Sequence, residues 1–115
     1  MGKRPPLILI ADDSLMVQDV VLTILASAGL SGNALPVAEA VRAARGIQPD
    51  LLITDQLAPF ECLDPATPIL YTNPMPDTER MLLFPQLVYL PKPFRAGRLV
   101  EEIQHLLRVE VAVSA

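Results

Sequence analysis

Short apolar runs alternating with helical stripes set the pattern of this chain. Leu7-Ile8-Leu9-Ile10-Ala11 is a continuous apolar run, as expected of a strand buried on both faces. Ser14 stands where a helix cap belongs, and Val17, Val20, Val21, Ile24, Leu25 and Ala28 recur at helical spacing until Gly29. Leu30 to Leu35 makes a weaker second strand. Pro36 suits the first turn of a second helix, which carries Val37, Val41 and Ala44 inward and stops at Gly46. Leu51 to Thr54, Pro68 to Tyr71 and Leu87 to Leu90 read as strands three to five. A short helix fits between Asp77 and Phe84. The last helix runs from about Arg95 to Arg108, with Leu99, Val100, Ile103, Leu106 and Leu107 as its inner stripe. Glu110 to Ala115 reads as a fraying end or the start of a linker. Strands alternating with helices predict an α/β domain with a parallel sheet.

One connection departs from that alternation. Only twelve residues separate Asp55 from Pro68, and Pro59 and Pro65 are among them. A parallel crossover normally takes a dozen residues or more and contains a helix. The prolines leave room for one turn, expected around Phe60 to Leu63. Without a helix, one face of strands three and four should lose its cover. Such an apolar face predicts a homodimer or a docked partner.

Bulk properties narrow the field further. The 115 residues suit one domain over residues 1–115. Hydrophobic residues at 51% and charged residues at 19% mark a globular chain rather than a disordered one. The net charge of −4 argues against direct nucleic-acid binding. No apolar run approaches the ~20 residues that span a bilayer, and the start lacks a signal peptide's apolar core. Cys62 is the single cysteine, so no internal disulfide can form. The chain reads as cytoplasmic.

The chemistry lies at the strand ends. Asp12 and Asp13 follow strand one, Asp55 strand three, Thr72 strand four and Lys92 strand five. In a parallel sheet these ends share one edge, where open α/β sheets bind ligands. An acid pair, a lone carboxylate, a hydroxyl and an amine there form a site suited to moving a phosphoryl group onto Asp55. Each residue alone has a plainer reading, as a loop residue, a helix cap or a solvated charge. Their order at the ends of four strands is what carries the argument. His105 lies off the inner stripe beside Glu101 and Glu102 and reads as a surface residue. Cys62 has no neighbouring histidine to activate it.

Taken together, Asp12-Asp13, Pro49-Asp50-Leu51-Leu52-Ile53-Thr54-Asp55, Pro59, Pro68-Ile69-Leu70-Tyr71-Thr72 and Tyr89-Leu90-Pro91-Lys92-Pro93-Phe94 resemble the receiver domain of two-component response regulators. The resemblance runs from Leu7 to Arg108. It implies a flavodoxin-like (CheY-like) doubly wound sheet of order 2-1-3-4-5, here with the third crossover helix reduced to a loop. It implies Asp55 as phosphoacceptor and Asp12, Asp13, Asp55 and the Leu57 carbonyl as a Mg²⁺ site. Thr72 and Lys92 would hold the phosphoryl oxygens, Thr72 and Tyr89 would act as the switch pair, and Lys92-Pro93 would be cis. The implied partner is a histidine kinase or phosphotransfer protein, and the implied role is regulatory rather than enzymatic.

The departures from the family point to a second reading. The third helix and the glycine after the acceptor-loop proline are missing, and Asn73 replaces the usual small residue after Thr72. Leu57 and Pro74 stand at positions that tune phosphate loss, and two nonpolar residues there predict slow loss. The alternative is a pseudo-receiver, which keeps the fold and works by docking without phosphate. An aspartyl-phosphate phosphatase would need a second aspartate where Leu57 stands. A flavin module would need a hydroxyl- and glycine-rich loop where Asp12-Asp13 stand.

Overall fold

A computed structural model of the chain describes residues 5–114, with side chains through residue 107. Five strands, β1 (Ile8–Ala11), β2 (Gly32–Leu35), β3 (Leu51–Thr54), β4 (Ile69–Tyr71) and β5 (Leu87–Tyr89), form one sheet of order 2-1-3-4-5. Every pairing is parallel. The helices are α1 (Leu15–Ser27), α2 (Val37–Ile47), α3 (Thr78–Met81) and α4 (Ala96–Ser114). This is the expected doubly wound architecture, and the Lys92-Pro93 bond is cis as expected.

Alternation along each strand divides the core in two. Ile8, Ile10, Leu51, Ile53 and Leu70 face α1 and α4, where Val21, Leu25, Leu99, Ile103 and Leu106 cover them. Leu9, Ala11, Leu52, Ile69 and Tyr71 face the other way, toward Val37, Ala40 and Ala44 of α2. Two glycines sit at constrained positions. Gly29 takes φ 76° after α1, a conformation L side chains rarely adopt. At Gly32 a Cβ would stand 3.0 Å from Leu25 Cδ1 and 3.1 Å from the Ile8 carbonyl oxygen, a tight approach of β2 to α1 and β1 that a larger residue would push back by a few tenths of an ångström.

Several boundaries and faces differ from the sequence reading. The inner face of α1 runs through Gln18, Val21 and Leu25, while Val20 turns to solvent. Ala40 takes the buried place on α2 beside a half-buried Val41. That helix ends at Ile47 rather than Gly46, because Gln48 adopts the left-handed cap at φ 44°. Helix α4 continues to Ser114, past the expected stop at Arg108, and Ala115 lies outside the described residues.

The third crossover brings the main correction. It holds a single 3₁₀ turn, Ala58–Phe60, placed earlier than expected and built around Pro59. The predicted bare face on β3 and β4 is not bare. Leu52, Ile69 and Tyr71 on it are buried. Phe60, with 0% of its surface exposed, plugs the site a helix would fill, and Leu57, Leu63, Met81 and Phe84 complete the cover. The Phe60 ring brings a large apolar area to that site from a short loop. The β3 and β4 side chains on which the expected dimer or docking surface would rest are therefore covered.

Candidate functional site

Backbone pairing carries Asp12, Asp55 and Thr72 to one edge of the sheet. Ala11 pairs with Thr54, and Thr54 with Tyr71, so the residue after each strand end lies at the same level. Asp12 N still donates to Leu35 O and Thr72 N to Thr54 O, which extends the ladder to the site itself. Thr54 then shapes the acceptor loop. Its Oγ1 donates to Gln56 O at 3.1 Å and accepts from Gln56 N at 3.1 Å.

Lys92 joins the acids. Its Nζ lies 2.9 Å from Asp12 Oδ2 and 3.6 Å from Asp55 Oδ2. Asp12 is almost fully buried, and its other oxygen accepts from Ser14 N at 2.9 Å. Gln18, absent from the sequence reading, holds the same residue by donating from Nε2 to Asp12 O at 2.8 Å. A signal for it existed: Ser14, Gln18, Val21 and Leu25 share one helical face. Asp55 is different. Its Oδ1 is buried and accepts no hydrogen bond. Burial raises the Asp55 carboxyl above its ordinary value, and the charge of Asp12 raises it further, while Lys92 opposes both.

The two remaining residues of the expected cation site, Asp13 and Leu57, already accept backbone hydrogen bonds. Asp13 turns away to accept from Val37 N at 2.9 Å, at the start of α2. Leu57 buries its side chain in the second core, and its carbonyl accepts from Phe60 N at 2.9 Å. Among the described residues no three histidine, cysteine, aspartate or glutamate side chains converge as metal ligands. The expected four-residue cation set is therefore not assembled as these side chains stand. Asp12 and Asp55 nonetheless fit a hard cation, because the Asp55 Oδ1 atom is a buried, unpartnered carboxylate oxygen of the kind Mg²⁺ takes.

The hydroxyl and aromatic residues form a second layer. Thr72 is buried, and its Oγ1 donates to Thr54 O at 3.3 Å. Tyr89 OH donates to Asn73 O at 2.8 Å, and its ring lies 5.5 Å from that of Tyr71. Asn73 acts as a tether. Its Nδ2 donates to Asp55 O at 2.8 Å and its Oδ1 accepts from Met75 N at 2.8 Å. A small residue there could make neither bond, so this departure ties the loop after β4 to the acceptor loop. Arg80 of α3 pairs with both Asp77 and Glu61 at 2.9 Å, joining the shortened third crossover to the connection between β4 and β5.

Comparisons with known proteins agree with this architecture. No family model matches the sequence, and no curated protein matches it. Solved structures do. The receiver domain of nitrogen regulatory protein C in its apo form superposes with a TM-score of 0.76 at 22% identity, covering 90% of this chain and 94% of that one. Chemotaxis protein CheY4 of Vibrio cholerae gives 0.73 at 23% identity, over 90% of this chain and 100% of that one. NtrX from Brucella abortus in complex with ADP gives 0.77 at 21% identity, over 96% of this chain. This chain spans only 30% of that NtrX chain. The structural neighbours are thus response regulator receiver domains, and the fold is theirs.

Proposed function

We propose that this chain is a phosphorylatable receiver, accepting a phosphoryl group on Asp55 from a histidine kinase or phosphotransfer protein. The observation that carries the reading is the state of Asp55. It is a half-buried carboxylate with one unpartnered oxygen, beside a second acid and within reach of a lysine. Burial and the charge of Asp12 raise its affinity for a proton, with Lys92 opposing both. In the transfer an Asp55 oxygen bonds to phosphorus as the bond from phosphorus to the donor's imidazole nitrogen breaks. The donor keeps that electron pair and takes up a proton. Lys92 meets the charge on the transferring oxygens, for which it must loosen its contact with Asp12. Thr72 offers its hydroxyl by giving up Thr54 O. Mg²⁺, when held by Asp12 and Asp55, supplies further charge neutralisation on those oxygens.

Two observations favour the pseudo-receiver as the second reading. Asn73 ties the acceptor loop down, and Tyr89 is already bonded to that tether. Labelling by acetyl phosphate with Mg²⁺, read by intact mass, separates the two. A gain of one phosphoryl group that disappears in Asp55→Asn supports the receiver. No gain, together with no binding of Mg²⁺ or beryllofluoride, supports a module that works by docking alone.

A further inference from the structure

Helix α2 has no cap of its own. Pro36 occupies its N-cap position and makes no side-chain cap bond. The first turn of a helix leaves backbone N–H groups without partners, and a carboxylate there also meets the positive end of the helix dipole. Asp13 supplies both from another element, twenty-four residues earlier in the chain, with Oδ1 2.9 Å from Val37 N. The turn it holds is part of the core: Val37 and Ala40 are buried with Leu9, Ala11, Leu52 and Phe60. The hydrogen bond from Asp12 N to Leu35 O fixes the two loops side by side, so the cap has a rigid base.

We infer that Asp13 is a positioning residue, the N-cap of α2 lent by the β1–α1 loop, and that a divalent cation competes with α2 for its carboxylate. The competition rests on the receiver reading above. As the side chain stands, Asp13 does not converge with Asp12 and Asp55. Joining them around a cation means turning away from Val37 N. A positive ion beside the carboxylate also weakens its attraction to the helix N-terminus. Cation binding at the sheet edge is therefore felt in the first turn of α2, and through Val37 and Ala40 in the core around Phe60.

The test is amide hydrogen exchange on the full chain, with and without Mg²⁺ at constant ionic strength, with Mg²⁺ binding followed separately by calorimetry. Without metal, Asp13→Ala should speed exchange at Val37 by about five- to tenfold. Asp13→Asn, which keeps an acceptor oxygen, should stay close to wild type. Unchanged exchange in Asp13→Ala would overturn the cap. Added Mg²⁺ should bring wild-type exchange at Val37 toward that of Asp13→Ala. Mg²⁺ that binds and leaves Val37 protected would overturn the competition while the receiver reading stands. No Mg²⁺ binding to wild type or to Asp13→Asn would overturn the competition along with the metal-dependent receiver reading, and the metal-free result would still decide the cap.

Discussion

Lys92 Nζ and Asp12 Oδ2 meet at 2.9 Å across eighty residues of chain, the longest sequence separation among the site's contacts. This pair closes the site, because it links the loop after β5 to the loop after β1 with Asp55 Oδ2 3.6 Å from the same nitrogen. Lys92→Ala leaves two acids facing each other, one of them almost fully buried. It is expected to cost about 1–3 kcal/mol at neutral pH and to abolish or sharply slow labelling of Asp55. Thermal unfolding and acetyl phosphate labelling read the two effects. A variant as stable as wild type would mean the pair contributes nothing net.

Asp55→Asn should raise the melting temperature at neutral pH while removing labelling. The sign follows from linkage. The Asp55 carboxyl is raised in the folded state, so folding favours its protonated form. Stability from this group is full below the unfolded value near 3.8 and is lost as pH rises through the higher folded value. At neutral pH the ionised group is therefore a destabilising one, and the asparagine removes it. The difference between the two proteins should shrink as pH falls through that window. A gap independent of pH would refute the assignment.

Phe60→Ala tests the plug that replaces a helix. The ring is fully buried among Leu52, Ile69 and Tyr71. Its loss should cost about 3–5 kcal/mol, a large share of a domain's stability. It should also uncover the face that the sequence pattern alone predicts to be bare. Binding of a hydrophobic dye, or concentration-dependent dimerisation seen by sedimentation, should appear in this variant and not in wild type.

Asn73→Ala removes two side-chain hydrogen bonds, to Asp55 O and from Met75 N. Each contributes about 0.5–1.5 kcal/mol, so a modest loss of stability is expected. Freed from the tether, the acceptor loop should label faster with acetyl phosphate than in wild type. Tyr89→Phe removes only the bond to Asn73 O and should shift stability by less. If the tether and the ring act as one unit, the double variant will fall short of the sum of the two. Strict additivity would show that Tyr89 packs without coupling to the loop.

The placement of Asp12, Asp55, Thr72 and Lys92 was legible in the residues themselves. Each follows a short apolar run, and parallel pairing obliges the ends of such runs to share an edge. The five strands, their order through the family resemblance and the shortened third crossover were legible for similar reasons. Chain periodicity and proline positions act locally, within one element at a time. Gln18 shows the limit: its contact with Asp12 O is six residues away, but only a folded α1 turns it inward.

What the tertiary structure alone decided are the contacts between distant segments. Asp13 looks like half of an acid pair beside Asp12, yet its oxygen caps α2, because Pro36 cannot and Val37 N lies within reach only after β1 and β2 pair. Phe60 looks like an ordinary loop residue, yet it seals the second core, because the space it fills is defined by β3, β4 and α2 together. Local sequence determines which backbone conformations and which faces are apolar. Which groups then satisfy a leftover N–H or fill a leftover volume depends on what else the fold brings near, and that is a property of the whole chain.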